Sequence, residues 1–256
     1  MKIAVLVKQT FATEARIVLD DAGGISDAKV KKVVNPYDEF AVEEAIQLRE
    51  KGVAEKVTVV TLGPDSAADA SRHCLAMGAD EAVLIDSSEI EMNDSAAVSQ
   101  VLAAALREIE FDLLLAGCVA VDDNSSQVAV RIAELLDLPQ INVVSKIEAT
   151  DSEVVAWREA DGQTEVMTAS LPALVTTDKG INKPRYPTLP NIMKAKKKPL
   201  VIRQLSDLGI AAPAPKIKIS KIDLPPAKEG AKIFGGTPSE AAAALAQALR
   251  NEAKVI

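Results

Sequence analysis

The sequence predicts an α/β fold: an open, mainly parallel, Rossmann-like sheet with flanking helices, a small antiparallel β excursion and an extended C-terminal arm. Short apolar runs alternate with helical patterns over the first 140 residues, which is typical of βαβ units. Hydrophobic residues make up 48% of the 256-residue chain but aromatic residues only 3%. The core must therefore be aliphatic, as in buried parallel strands. After Pro139 the pattern changes to segments of alternating polarity.

The elements of the sheet follow one another in a regular order. Apolar runs predict strands at residues 3–7, 57–62, 82–85, 113–116 and, beyond the excursion, 173–177. Helices are predicted from residue 36 to about residue 51 and at residues 67–77, 95–109 and 125–136. For the first helix, Asn35 is the expected N-cap, Pro36 takes the first position, and acidic residues fill the first turn.

Two segments are predicted to leave the sheet. Residues 18–20 and 30–34, around a turn at residues 20–24, have the pattern of a small hairpin or an extended excursion. Residues 141–147, 154–158 and 163–169 alternate like antiparallel strands, and Asp161-Gly162 is a hairpin signal between the last two.

The last fifth of the chain is predicted to be an arm. We divide the chain into an α/β domain at residues 1–210 and an arm with a short helix at residues 211–256. Residues 211–238 are rich in proline and lysine and too poor in apolar side chains to form a core, and a helix is predicted at residues 240–252. Such an arm is either disordered or laid across a partner. Its apolar side chains, among them Ile217, Leu224 and Phe234, favour contact with a partner.

Composition argues against several classes of protein. The net charge of −8 is unfavourable for general nucleic-acid binding. No run of 18 apolar residues occurs, so a membrane span is not expected. The chain begins directly with a strand pattern and has no signal-peptide pattern, so we expect a cytoplasmic protein. Cys74 and Cys118 lie far apart, and we expect no disulfide between them.

No pattern indicates bond-making chemistry or a metal. The single histidine, His73, lies in a predicted helix, where a structural or surface role is expected. Zinc-protease, paired-cysteine, nucleophile-elbow and Walker motifs are absent. We therefore assign no catalytic residue and no metal ligand.

A nucleotide site is the better candidate. Ligands of open parallel sheets bind at the carboxyl ends of the strands, near helix N-termini. Residues 6–8, 35–38, 62–64 and 117–126 all fall at that edge. Free amides at the helix predicted from residue 125 could hold a phosphate, while Asp122 and Asp123 could cap the helix or bind ribose hydroxyls. The competing interpretation is an ordinary helix cap rich in serine and aspartate.

The loop at residues 184–198, PRYPTLPNIMKAKKK, has an unusual composition. Its three prolines stiffen the backbone and remove amide donors, and Asn191 is expected to cap a short helical turn. Leu189, Ile192 and Met193 would form an apolar tip backed by Lys194, Lys196, Lys197 and Lys198. An apolar anchor within a charged rim suits protein docking. The alternative is a solvated basic loop.

Four segments resemble a single family. VKQT, NPYDEFAVEEA, VDDNSSQ and PRYPTLPNIMKAKKKP are similar, in this order, to segments of electron-transfer flavoprotein beta subunits, and the resemblance covers roughly residues 1–210. It implies an electron carrier rather than an enzyme, in a heterodimer whose alpha subunit holds most of a redox-active FAD. The loop near Phe11 to Thr13 would complete the flavin pocket, and the arm would pack on the alpha subunit.

The resemblance also implies the ligand and its contacts. AMP would bind at the sheet edge. Its adenosine would be surrounded by Leu6, Asn35, Pro36, Tyr37, Asp38 and Leu62. Its ribose and phosphate would lie against Asp122, Asp123, Asn124, Ser125, Ser126, Gln127, Val128, Ala129, Val130, Arg131, Ile132 and Ala133.

For the 184–198 loop, the resemblance implies docking of partner flavoenzymes, such as the acyl-CoA dehydrogenases of fatty acid beta-oxidation. Leu189 would be the anchor that enters an apolar pocket on the partner. The implied docking residues are Tyr186, Leu189, Pro190, Ile192, Met193, Lys194 and Lys197.

Two other functions stay open at this stage. Gln127-Val128 is similar to the equivalent stretch of flavin-bifurcating relatives, which hold a second FAD in place of AMP and oxidise NADH. The segments NPYDEFAVEEA and LPNIMKAKKK instead favour the AMP type. A stand-alone adenine-nucleotide-binding protein is the third possibility. It would need neither the 184–198 loop nor the arm.

Overall fold

The computed structural model describes residues 1–21, 23–26, 30–227 and 230–256. In chain order, the elements of this part of the chain are β1 (Lys2–Leu6), β2 (Gln9–Phe11), β3 (Lys32–Val34), α1 (Pro36–Glu50), β4 (Lys56–Gly63), α2 (Ala67–Met77), β5 (Glu81–Asp86), α3 (Ser95–Arg107), β6 (Leu113–Gly117), α4 (Val128–Leu135), β7 (Gln140–Val144), β8 (Lys146–Ala149), β9 (Glu153–Ala160), β10 (Gln163–Ser170), β11 (Ala173–Thr177), α5 (Leu189–Ala195), β12 (Leu200–Arg203) and α6 (Pro238–Asn251). A 3-10 turn, Leu205–Leu208, follows β12.

Seven strands form one sheet in the order β12-β5-β4-β1-β6-β11-β7. Every neighbouring pair is parallel. The central strand β1 lies between β4 and β6, so that Ile3 is aligned with Val57 on one side and with Leu113 on the other. The predicted α/β fold with an open parallel sheet and flanking helices is confirmed.

Side chains of the central strands alternate between two helical layers. Ile3, Val5 and Val7 face the cluster that contains α1 and α2, whereas Ala4 and Leu6 face the cluster that contains α3 and α4. This period of two follows from strand geometry. The two clusters are built from aliphatic side chains with a few cysteine and methionine residues, as the composition predicts.

The prediction for residues 141–147 was wrong in part. The segment divides into β7, which joins the main sheet parallel to β11, and β8, which joins β9 and β10 in a three-stranded antiparallel sheet. Ile141 is buried whereas its neighbours Gln140 and Asn142 are partly exposed, so the sequence of β7 alternates as that of an antiparallel strand does. The hairpin between β9 and β10, with Asp161-Gly162 at its turn, is as predicted.

The excursion predicted near the N-terminus pairs differently from the expected hairpin. β3 pairs with β2, which follows β1, and among the described residues Leu19 forms an isolated antiparallel bridge with Ile25. Residues 22 and 27–29 of this excursion lie outside the described part of the chain. The three residues Gln9–Phe11 are too few to show a periodic pattern, so the sequence could not identify β2 as the partner of β3.

The chain divides into two compact units, Met1–Lys221 and Ile222–Ile256. The first unit therefore extends beyond the predicted sheet domain, and it includes β12, an edge strand that the sequence analysis did not predict. Within the described residues, no helix is long and apolar enough to cross a membrane. Cys74 and Cys118 are both free.

Candidate functional site

A pocket opens at the carboxyl edge of the sheet, beside the ends of β1, β4 and β6 and the start of α4. The cavity volume is about 160 Å³, and the space counted together with the open mouth is about 970 Å³. Apolar side chains from β4 and α3, such as Leu62 and Leu102, contribute to the lining together with polar residues that follow β6. The position matches the expected ligand edge of a parallel sheet.

Asp38, in the first turn of α1, joins two strand ends beside the pocket. Its carboxylate accepts the backbone N–H of Lys8 at 2.7 Å and that of Gly117 at 3.0 Å. Burial raises the pKa of Asp38 to about 7, although hydrogen bonds from Lys8, Asn35 and Gly117 oppose the rise. Both oxygens are engaged by the backbone, so this side chain holds the framework of the pocket.

Gly117 is required by the close approach of α1 to the end of β6. A Cβ atom at this position would lie 2.4 Å from Asp38 Oδ1 and 2.7 Å from Tyr37 Cβ. Atoms do not pack at such short distances, so a side chain at this position would displace the backbone or Asp38. The first turn of α1 therefore packs directly on the glycine.

Asn35 is the N-cap residue of α1, as predicted, but its side chain makes no capping hydrogen bond. Instead, its Nδ2 donates to the carbonyl of Val119 at 2.9 Å, and its Oδ1 accepts the N–H of Val121 at 3.2 Å. The side chain is buried and fixes the loop that leads from β6 toward α4. Its sequence pattern is that of a helix cap, but its amide binds a loop from another part of the chain.

Lys8 neutralises the acidic pair beside the pocket. Its Nζ donates to Asp122 at 2.8 Å and to Asp123 at 2.9 Å. Burial lowers the pKa of Lys8, but the two carboxylates outweigh burial and hold its pKa above the ordinary value. The cation that bridges both aspartates therefore reduces the repulsion that any anion bound in the pocket would meet.

The segment between β6 and α4 is a tight loop rather than the start of a helix. Asp123 Oδ1 accepts the N–H of Ser125 at 2.9 Å, and Asn124 and Ser126 have φ angles of 54° and 53°. The helix begins at Val128, three residues later than predicted. These positive φ angles lie outside the right-handed helical region, so they interrupt the helical hydrogen-bond pattern. Asparagine adopts such angles more readily than most residues.

The N-terminus of α4 faces the pocket. Gln127, Val128, Ala129 and Val130 all line it. The first amides of a helix have no acceptor within the helix and carry the positive end of its dipole. Arg131 fixes the side chain of Gln127 through hydrogen bonds of 3.0 and 3.2 Å. This arrangement suits an anion such as a phosphate.

A short exposed helix, α5, lies within the 184–198 loop. Thr188 caps it by accepting the N–H of Asn191, so the predicted cap at Asn191 was wrong. Leu189 is 79% exposed and Met193 63% exposed, whereas Ala195 faces inward at 2%. The helix therefore presents large apolar side chains to solvent, which is uncommon outside interaction sites.

Comparison with known proteins gives the family. Residues 23–208 match the family model of the electron transfer flavoprotein domain. The chain is 46% identical over 259 residues to the electron transfer flavoprotein subunit beta of Bacillus subtilis, and the match covers 100% of both chains. It is 37% identical over 238 residues to the corresponding mouse protein, covering 91% of this chain and 92% of the mouse protein. The chain belongs to the electron transfer flavoprotein beta-subunit family.

The fold brings most of the predicted site residues together. The predicted residues that line the pocket are Leu6, Asn35, Asp38, Leu62, Asp123, Ser125, Ser126, Gln127, Val128, Ala129 and Val130. They come from β1, the start of α1, β4 and the segment that leads from β6 into the first turn of α4, which the parallel sheet places at one edge.

The other predicted residues lie next to the pocket rather than on its wall. Pro36 and Tyr37 form the start of α1, and Asp122 pairs with Lys8. Ile132 and Ala133 lie on the buried face of α4, in the core. Asn124 belongs to the tight loop, and Arg131 holds Gln127. These residues therefore support the wall of the pocket and do not form it.

Several lining residues were not predicted. Met92, Val98, Leu102 and Val60 add apolar surface, and Ser95 lies at the start of α3. Asn142, Val143 and Thr176 come from the bulge between β7 and β11. Val143 has a φ of 60°, which is unusual for a β-branched residue. Helical periodicity identifies the apolar face of α3, but no pattern in the sequence indicates that this face also reaches a pocket.

The surroundings of Cys118 and His73 favour structural roles for both residues. Cys118 lines the pocket and is half-buried, and burial raises its pKa to about 11, which disfavours a reactive thiolate. His73 Nε2 lies 3.3 Å from Glu39 Oε1 on the neighbouring helix α1, and this ion-pair geometry accounts for its position.

The second unit, Ile222–Ile256, lies within the arm that the sequence predicts at residues 211–256. By itself it contains α6, whose N-terminus has a capping box formed by Thr237 and Glu240. None of the side chains of α6 is buried, and Ile233 before it is 90% exposed.

Proposed function

We propose that this chain is the beta subunit of a heterodimeric electron transfer flavoprotein. It would bind AMP in the pocket, help an alpha subunit to form the FAD site, and dock partner flavoprotein dehydrogenases through the 184–198 loop. The observation that carries the proposal is the presence, in one compact unit, of an anion-suited pocket and an exposed apolar helix. A carrier needs no bond-making residues of its own.

AMP is the ligand that the pocket geometry supports best. The amides at the start of α4 can bind a phosphate, while Leu6, Leu62 and Leu102 provide apolar surface for a purine. Lys8 offsets the charge of Asp122 and Asp123 beside the phosphate position. AMP would stabilise the folded state because it binds only that state.

Docking rests on α5. Leu189 would enter an apolar pocket of the partner, and Tyr186, Pro190, Ile192 and Met193 would surround it. Lys194 and Lys197 would supply the charged rim, which favours fast association with an acidic surface. Partners of the acyl-CoA dehydrogenase type fit a carrier of this kind.

The FAD site and the heterodimer interface belong to the same proposal. Phe11 to Thr13 would contact the flavin that the alpha subunit holds. The second unit would pack on that subunit, because its exposed apolar side chains, such as Ile233 and Leu245, favour burial. Free thiols at Cys74 and Cys118 fit a cytoplasmic location. Deletion of residues 222–256 should weaken the heterodimer in size-exclusion chromatography.

One experiment distinguishes this proposal from its rivals. The chain is co-expressed with its alpha subunit, the complex is purified and denatured, and the released FAD and AMP are quantified by chromatography. One FAD and one AMP per heterodimer support the proposed carrier. Two FAD without AMP would replace it with a flavin-bifurcating complex, which Gln127-Val128 favours. A chain that forms no complex and carries only an adenine nucleotide would indicate the stand-alone binding protein.

A further inference from the structure

We infer that Arg185 and Arg72 are positioning residues of the docking surface. They fix the two ends of α5 to α1 and α2, so that Leu189 is presented in one orientation. The inference rests on the proposed docking function and adds residues to it that the sequence analysis did not assign. Neither arginine needs to touch the partner.

Arg185 attaches the loop to α1 through two glutamates. Its Nε and one terminal nitrogen donate to the two oxygens of Glu43, at 2.8 and 2.9 Å. The terminal nitrogens also donate to both oxygens of Glu50, at 2.6 and 2.9 Å. Bidentate pairs of this kind fix the planar guanidinium in orientation as well as in position.

The surroundings strengthen this attachment. The Glu43 side chain is only 4% exposed, and the backbone N–H of Arg185 also donates to it at 3.2 Å. The hydrogen bonds that Arg185 donates to Glu50 and Glu43 raise its pKa, so the cation is permanent. Three residues earlier, Asn182 donates to the carbonyl of Phe40 and to Glu44, both at 3.0 Å.

Little freedom remains between Arg185 and Leu189. Only three residues separate them: Tyr186, Pro187 and Thr188. Pro187 fixes its own φ angle, and Thr188 is the N-cap of α5. An orientation set at Arg185 is therefore transmitted to the first residue of the helix.

Arg72 holds the opposite end of α5. From α2, one of its terminal nitrogens donates to the carbonyls of Ala195 and Lys198, at 2.7 and 2.8 Å. Lys198 points inward, where its Nζ donates to the carbonyls of Leu75, Gly78 and Ala79 at the end of α2. Lys198 is therefore part of the support and does not belong to the charged rim that the sequence predicted.

These contacts are necessary because α5 cannot hold itself. It has seven residues, and Ala195 is the only one of them that is buried. Isolated helices of this length are not stable in water. A surface that is ordered before binding loses less conformational entropy on association, so the arginines should lower the KM for docking and leave the electron-transfer step itself unchanged.

The test measures reduction of the intact heterodimer by a donor dehydrogenase, with the heterodimer as the varied substrate. R185Q should raise the KM about fivefold and change kcat little, because loss of preorganisation weakens association. R185K should give only partial rescue, because lysine cannot form the bidentate pairs. The matched control is R203Q, which removes an ion pair with Glu108 that lies outside the loop.

Hydrogen exchange of the amides of residues 188–196 gives a readout that does not depend on activity. Exchange should be faster in R185Q and in R72Q than in R203Q. If R185Q does not fold, E50Q removes only the more exposed pair and should change KM and exchange in the same direction by less. Unchanged exchange or an unchanged KM in the folded variants would overturn the inference.

The L189A variant separates this inference from the proposed function. If L189A leaves the KM unchanged, the docking function itself is wrong. If L189A raises the KM but R185Q does not, only the positioning role fails. Because Arg185 acts through Leu189, the double variant should have nearly the KM of L189A alone, whereas additive effects would contradict the mechanism.

Discussion

The pocket and the 184–198 loop are assembled in the same way, yet they leave opposite kinds of groups free. In the pocket, Asp38 and Asn35 use their side chains to bind the backbone of other segments, and the amides at the start of α4 stay available. In the loop, Arg185 and Arg72 do the binding, and the apolar side chains of α5 stay available.

This difference shows how a polar side chain at a functional site is to be interpreted. The polar residues that attract attention in the sequence mostly form the framework, and the groups left free for a ligand or a partner are ordinary amides and aliphatic side chains. Variants of framework residues should therefore change stability or order, whereas variants of presented groups should change binding alone. The predictions that follow test this separation.

The largest expected effect concerns Asp38 and pH. Its folded-state pKa of about 7 lies above the unfolded value of about 3.9. Its contribution to stability is therefore complete below pH 4 and is lost as the pH rises to 7. The stability advantage of the wild type over Asp38→Asn should shrink by on the order of 4 kcal/mol across this range, as measured by denaturant unfolding at several pH values. Parallel pH profiles would contradict the assignment.

Gly117→Ala should destabilise the fold by about 3 kcal/mol, because the added Cβ collides with Asp38 and Tyr37. Urea unfolding measures the loss. Gly235→Ala is the control, since a Cβ there has no heavy atom within 4 Å. Equal stabilities of the two variants would show that the approach of α1 to β6 is not a constraint.

Leu189→Ala should leave stability and nucleotide content unchanged and weaken docking by about 2 kcal/mol, or roughly 30-fold, as expected of an exposed anchor. Steady-state reduction by a dehydrogenase measures the effect. Leu135→Ala, which truncates an exposed leucine at the end of α4, is the control. A comparable loss in both variants would remove the distinction between α5 and an ordinary exposed surface.

Lys8→Met should lower the affinity for AMP by about 1 kcal/mol, or roughly fivefold, because Asp122 and Asp123 lose their shared cation. Titration calorimetry with AMP measures the change. Lys2→Met, which loses an exposed pair with Glu110, is the control. The loss should become smaller when Asp122 and Asp123 are also changed to Asn, and a persistent full loss would mean that Lys8 contacts the nucleotide itself.

Much of the fold could be predicted from local patterns. The helix Ala67–Met77 has the bounds that the sequence indicated, because its apolar period and the following Gly78 mark both ends. The strands around β1 are continuous apolar runs, which only burial on both faces accommodates. The pairing of β7, β3 and β12 could not be predicted, because an edge strand or a strand of three or four residues leaves too little periodicity.

The candidate site could be predicted as segments but not as atoms. Residues 6–8, 35–38, 62–64 and 117–126 were identified as neighbours because parallel strands end at one edge, and the family resemblance extended the last segment to Ala133. The roles within those segments were less accurate: Asn35 is the N-cap of α1 but its side chain binds a loop, α4 begins at Val128, and Lys8 was not assigned a role. These details depend on contacts between residues about 80 to 115 positions apart.

The sequence by itself determined the alternation of strands and helices, the aliphatic core, the edge at which a ligand site forms and the composition of the 184–198 loop. These features depend on side-chain polarity and on neighbours within a few residues, which a linear pattern records. Only the tertiary structure decided that Asp38 joins β1 to β6, that Lys8 neutralises two aspartates and that Arg185 orients α5. Each of these depends on which distant donor lies within about 3 Å, because a hydrogen bond is effective only at that range.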